Sequence, residues 1–403
     1  MNQVRLKYVV RINPTDLPET TDPAYEFRYL DIGAVGRGRL IESPEAMTFG
    51  QAPSRARRTV LDGDTILATV RTYLRAVWPV QNCGADLVVS TGFAVLRPSG
   101  GIDPGYLGWV AQSDCVIEEV VARSVGVSYP AINASDVGDV RIPRPPLAQQ
   151  QLIVDYLDRE TARIDALIAA KSRTLKLWEE RLVAFTSGLF DLKWPRVPLR
   201  RVVTGIEQGW SPQCEERLPD DGEWGVLKVG CVNKGSFQPL ELKALPPDVS
   251  PRREYLVYDG DLLISRANTL QLLGSAAIVS GVRPMTLLCD KLYRIRLDER
   301  RALRGFVACW LRTPEAREAM EVEATGASDS MQNISQETVR DLRAPLPDLA
   351  SQSAAISRSQ KAQQRFLCGA GRISNQIVLL REHRQALITA AVTGELKIPE
   401  VAA

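Results

Sequence analysis

Few side chains in this sequence are placed where they could do chemistry. Pro219-Asp220 followed by Glu241-Leu242-Lys243 has the spacing of a nuclease site, in which two carboxylates bind Mg²⁺ beside a lysine that orients a nucleophilic water. Short patterns of this kind arise by chance, and the related stretch earlier in the chain has no counterpart. Asp22-Pro23-Ala24-Tyr25 approaches the N/D-P-P-Y/F loop of a base methyltransferase but carries Ala where the second Pro belongs. Gly36-Arg37-Gly38 lacks the third glycine of a dinucleotide fingerprint and reads as a plain turn, and no G-x-x-x-x-G-K-S/T loop occurs. His383 is the single histidine, which removes most general-base and metal chemistry. Cys83, Cys115, Cys214, Cys231, Cys289, Cys309 and Cys368 are scattered and form no C-x-x-C pair, so they read as reduced thiols. The chain is expected to be non-catalytic, with no metal site and no cofactor of its own.

Binding is better represented. The net charge is only +2, but basic residues cluster locally: Arg37 with Arg39, Arg55 with Arg57 and Arg58, Arg71 with Arg75, Arg200 with Arg201, and Arg252 with Arg253. Such clusters suit phosphate contact and also decorate ordinary solvated faces. The candidate base-contacting residues lie in two related loops, Gly126–Ala131 and Ser328–Asn333. Ser128 and Ser330 coincide, whereas Tyr129, Pro130 and Ala131 are replaced by Met331, Gln332 and Asn333. Gln and Asn can bond an adenine edge in two places, and Arg71 or Arg266 can read guanine or hold phosphate. The same residues also suit turns and helix caps.

Two long helices must position these loops. Between Pro146 and Gly188 the chain contains neither Gly nor Pro. Val154, Leu157, Thr161, Ile164, Ile168, Lys171, Leu175, Trp178, Leu182, Phe185 and Leu189 step by threes and fours, the 3.5-residue period of a coiled-coil seam. Near the C-terminus Phe366, Ala370, Ile373, Ile377, Leu380, Arg384, Leu387 and Ala391 repeat the spacing. This second seam contains Gly369 and Gly371, each costing about 1 kcal/mol of helix propensity relative to Ala.

The same words precede both helices. Residues 137–150 and 339–352, offset by 202, are identical at eight of fourteen positions, against about one expected from average residue usage. Residues 26–38 match 223–235, and Asp62-Gly63-Asp64 matches Asp259-Gly260-Asp261. The chain is a tandem duplication. Pro198–Val203 follows the first helix and resembles Arg5–Val10 at the start, so the repeat is circular and the C-terminus is expected to return to the first domain.

The fold class is α+β: two similar mixed α/β domains separated by two long helices that form an antiparallel coiled coil. The expected divisions are 1–144 and 193–346 for the domains, 145–192 for the first helix, and 347–403 for the second helix and the return. A strand pair is expected over Asp86–Leu96 and a helix over residues 104–120. Helices of this length form a rod about 60 Å long with a pseudo-twofold axis. No apolar run reaches the span of a bilayer and the N-terminal stretch lacks the basic start, apolar core and small-residue cleavage site of a signal peptide, so the chain is expected to be cytoplasmic.

Ile142-Pro-Arg-Pro-Pro-Leu-Ala-Gln-Gln150 leading into the first helix, the ending Thr393-Gly394-Glu395-Leu396, and two domains alternating with two helices resemble the specificity subunits of type I restriction-modification systems. The resemblance covers the whole chain. It implies that each domain reads half of an interrupted double-stranded DNA target, with the helices setting the gap and docking two methyltransferase subunits. A restriction and translocase subunit joins them. S-adenosylmethionine, ATP and Mg would then sit on the partner subunits. A methylation-only specificity subunit and a two-headed protein-binding scaffold are the competing readings.

Overall fold

The computed structural model describes residues 2–190, 193–233, 235–328 and 331–398. The chain divides into two units, Met1–Ser172 with Ser374–Ala403, and Arg173–Ile373. Both cuts fall inside the long helices, which span Leu147–Ser187 and Leu349–Thr393, so each unit holds one globular body and part of each helix. The second helix starts on Asp348, whose carboxylate accepts from the Ser351 N–H at 2.9 Å, and it stops before Gly394, which takes the left-handed φ of +81° that favours glycine.

The first unit is built on a four-stranded antiparallel sheet in which Phe93–Pro98 lies between Val10–Ile12 and Thr65–Ala68, with Val77–Pro79 outermost. In a second sheet, Glu26–Leu30 pairs antiparallel to Glu45–Thr48 and parallel to Leu87–Ser90, which in turn pairs with Ala56–Thr59. The strand pair expected over Asp86–Leu96 is therefore split between two sheets. Its turn is tied to both, because the Thr91 N–H donates to the Arg55 carbonyl while the Gly92 carbonyl accepts from the Thr69 N–H. The helix expected over residues 104–120 is broken at Ser113 into Pro104–Gln112 and Asp114–Arg123.

The second unit repeats this order. Leu292–Leu297 lies between Val203–Gln208 and Leu262–Ser265, with Ala276–Ile278 outermost, and Gly225–Leu227 pairs parallel to Thr286–Leu287 and antiparallel to Leu242–Ala244. The Asp-Gly-Asp turns coincide, with φ of +89° at Gly63 and +91° at Gly260. Their last carboxylates meet matching arginines, Asp64 with Arg97 at 2.8 Å and Asp261 with Arg294 at 3.2 Å.

Each body grips a long helix through one buried glutamine. Gln150 Oε1 accepts from the Asp103 N–H at 2.7 Å, and its Nε2 donates to the Pro145 carbonyl at 2.8 Å and the Gly101 carbonyl at 3.3 Å. Gln352 does the same with Leu303, Pro347 and Arg301, at 2.8, 2.8 and 3.0 Å. Both side chains are fully buried, so the hydrogen bonds replace water that neither amide can reach. Ile153, Val154 and Leu157 of the first helix join Ile388, Ala391 and Val392 of the second in the core of the first unit. Leu396 and Ile398 pack there too, which brings the chain's end back to the first domain as the circular repeat implies.

The helices are antiparallel within each unit. In the first, Asp165 pairs with Arg384 at 3.0 Å and Lys171 Nζ donates to Gln376 Oε1 at 2.7 Å. In the second, Trp178 lies against Gly369 while the Arg358 guanidinium sits 6.0 Å above the Phe185 ring. Of the seam residues, Val154, Leu157, Ile164 and Ile377 are buried; Ile168, Leu175, Leu182, Ile373, Leu380 and Leu387 are half-buried. Trp178 and Phe185 remain 39% and 42% exposed, and with Leu182, Ala362 and Phe366 they line an open apolar groove. Two helices alone cover one side of each seam residue, and a globular body supplies the further cover at the buried end.

Candidate nucleic-acid interface

Both bodies present a hairpin beside a turn that leaves the central sheet. In the first unit the Val125 and Ala131 backbones exchange hydrogen bonds of 2.9 and 3.0 Å, which leaves residues 126–130 as a projecting loop. The neighbouring turn, Arg71–Arg75, encloses a short helical turn over Thr72–Leu74. Three contacts join turn and hairpin. The Arg71 N–H donates to the Pro130 carbonyl at 2.8 Å, Thr72 Oγ1 donates to Ser124 Oγ at 2.8 Å, and the Arg71 guanidinium lies 4.9 Å above the centre of the Tyr129 ring. Arg71 and Arg75 both adopt left-handed φ, +53° and +54°, which side chains with a Cβ seldom take.

The candidates Arg71, Ser128 and Tyr129 thus form one exposed surface, with Tyr129 63% accessible. Tyr73, Leu74 and Val127 stand exposed on the same turn and hairpin and were not singled out from sequence. An aromatic between two arginines in a linker between strands was the available signal. Behind the turn, Asp114 accepts from Arg37 at 2.8 Å and lies 3.8 Å from Arg75. Burial pushes the Arg37 guanidinium below its ordinary value, although the Asp114 carboxylate opposes this.

In the second unit Thr325–Ser328 and Met331–Asn333 form the hairpin, and Ala267 and Asn268 pair with Asn333 and Gln332. Ser330 lies outside the described residues. Met331 is exposed, whereas Gln332 and Asn333 are half-buried. Arg266 is half-buried as well and is turned inward, its Nη1 donating to the Asp290 carbonyl at 3.2 Å and its Nη2 to Asn333 Oδ1 at 3.4 Å.

The two arginine candidates are not equivalent. Val70 bridges Ala131 where Ala267 pairs with Asn333, so Arg71 corresponds to Asn268 and Arg266 to Thr69. Thr69 and Arg266 each accept on their carbonyl from the isoleucine after the hairpin, Ile132 and Ile334, at 2.9 Å. Asn268 is held locally, donating to Asn233 Oδ1 at 3.0 Å and accepting from the Thr269 N–H at 2.9 Å. The shared scaffold therefore displays an outward arginine on one body and a tied asparagine on the other.

The nuclease-like triplet is dispersed into other contacts. Lys243 pairs with Glu216, and Asp220 lies 3.5 Å from Arg217, which also pairs with Glu223 at 2.7 Å. Hydrogen bonds from Arg217 and from the Asp220 N–H pull the Glu223 carboxyl down to about 2. Among the described residues no group of three or more His, Cys, Asp or Glu side chains is gathered as a metal site would require, and no helix is long and apolar enough to cross a membrane.

No family model matches the chain. It is 31% identical over 165 residues to the EcoEI type I restriction enzyme specificity subunit of Escherichia coli, an alignment covering 41% of this chain and 28% of that protein. It is 23% identical over 320 residues to the EcoKI specificity subunit of Escherichia coli strain K12, covering 75% of this chain and 68% of that one. In fold it is similar to a chain solved in a study of complex assembly and conformational transition of the type I R-M system, with a TM-score of 0.74, 24% identity and 98% of both chains covered.

Proposed function

We propose that this chain is the DNA-recognition subunit of a type I restriction-modification complex, each globular body reading one half of a bipartite, interrupted target. The long helices set the gap and dock two methyltransferase subunits, and a restriction and translocase subunit completes the assembly. Methyl transfer, with S-adenosylmethionine, and ATP- and Mg-dependent translocation and cleavage belong to those partners. The complex works on chromosomal DNA in the cytoplasm.

One observation carries the reading. A single scaffold, repeated down to its Asp-Gly-Asp turns and buried glutamines, displays two dissimilar hairpins: Tyr129, Pro130 and Ala131 on one body and Met331, Gln332 and Asn333 at the matching positions of the other. Different side chains on matching mounts suit a split, non-palindromic site, because base edges are read by side chains while the mount sets the approach to the groove.

The test is co-expression with a type I modification subunit, followed by genome-wide mapping of methylated bases. A split motif with a constant gap is the expected result. A stable complex that leaves no methylated motif would overturn the reading in favour of a protein-binding scaffold, for which duplex affinity would also lack the steep salt dependence of phosphate contact.

A further inference from the structure

The guanidinium of Arg71 is held ready for a planar partner. Its backbone is pinned to the hairpin through the Pro130 carbonyl, and its turn through Thr72 and Ser124. The left-handed φ of +53° is disfavoured for a residue with a Cβ, and here it directs the side chain over the exposed face of Tyr129. Among the described residues Arg71 makes no ion pair, in contrast to Arg75 beside Asp114 and Arg37 against it. A guanidinium lying over an aromatic face does not spend its N–H donors on the ring, which leaves them free for a bidentate acceptor.

Two acceptors have that geometry, a phosphate and the O6/N7 edge of guanine. The surroundings favour the base. Leu74, Val125 and Val127 stand exposed on the same turn and hairpin, with Val127 fully accessible. Apolar side chains of this kind meet base edges and thymine methyl groups in a major groove and have no role against a phosphate.

We infer that Arg71, supported by Tyr129, reads a guanine through O6 and N7 in the half-site bound by the first unit, and that the second unit makes no equivalent contact because Asn268 stands in that place. The inference rests on the DNA-recognition reading above. Arg266 is turned inward instead, its Nη1 and Nη2 donating to the Asp290 carbonyl and Asn333 Oδ1, and it positions the second hairpin.

The test compares the wild-type chain with Arg71→Ala and Arg71→Lys, each expressed with the modification subunit. Methylated motifs are mapped, and binding of the purified complexes is measured on duplexes carrying guanine or 7-deazaguanine at each G of the motif. In the expected result Arg71→Ala relaxes one G·C position in one half-site, leaves the other half intact and weakens binding about 5- to 150-fold. Arg71→Lys does not restore the preference, and 7-deazaguanine at that position weakens the wild type but not Arg71→Ala. A phosphate contact would instead leave the motif unchanged, weaken all duplexes alike, lower the salt slope by about one and be largely restored by lysine. That outcome, variants identical to wild type, or a motif lacking a G·C pair in the affected half would overturn the inference. Absence of any wild-type motif would instead defeat the underlying reading, since the variants would have no specificity to change.

Discussion

Trp178 of the first long helix rests directly on the Cα of Gly369 in the second: a Cβ built on that glycine would lie 2.2 Å from the indole Cζ3. The glycine that weakens the second helix by propensity is thus a socket for the largest side chain of the seam. Gly371, two residues on, faces open space. Placing Ala at position 369 should raise helix propensity by about 1 kcal/mol and also push Trp178 out of its seat. In a Trp178→Ala background, Gly369→Ala is expected to raise the unfolding midpoint. With Trp178 present, the same change should give a smaller gain or a loss. The difference between the two effects, from thermal unfolding of the four chains, measures the coupling.

Gln150 and Gln352 make the same three hydrogen bonds from the same buried positions. Replacing either by Ala strands a backbone N–H, of Asp103 or Leu303, and takes the amide donor from two carbonyls. Each substitution is expected to cost about 1–3 kcal/mol in chemical denaturation, with similar values for the two sites. A large cost at one and none at the other would refute the equivalence of the two grips.

Asp348 gives the second helix a charged start. Hydrogen bonds from the Ser351 backbone and hydroxyl hold its carboxyl below the ordinary carboxylate value. A depressed value in the fold means that the ionised cap stabilises above the ordinary range, and that its contribution disappears as pH falls through the lowered value. Asp348→Ala should therefore lower the unfolding midpoint at neutral pH, and its deficit against wild type should shrink as pH falls through the lowered value of the carboxyl. A deficit that is constant with pH would show that charge plays no part.

Insertion of seven residues into both long helices keeps every seam residue on its face, because two helical turns of a coiled coil close on a heptad. The insertion adds about 10 Å to each helix. At 3.4 Å per base pair the gap between half-sites is expected to grow by about three base pairs while the half-sites stay the same. Methylated-motif mapping reads both quantities, and altered half-sites would argue that the helices contribute to base reading.

The architecture was legible because its signals are local or periodic. A run without Gly or Pro, a spacing of threes and fours, and words repeated at offsets of 197 and 202 need no tertiary contact to be recognised. They identified both helices, both domains and the circular return of the chain. The same signals could not tell Arg71 from Arg266, since both are arginines in loops of related domains. Their roles separate in the fold, where one is pinned outward over a tyrosine 58 positions away and the other is turned inward onto Asp290 and Asn333. Nor does residue type predict a left-handed arginine or a glycine that seats a tryptophan from another helix. Helix, strand and repeat follow from backbone geometry and hydrophobic period, which neighbouring residues dictate. Which side chain faces outward, and what it rests on, depends on residues that meet only when the chain has closed.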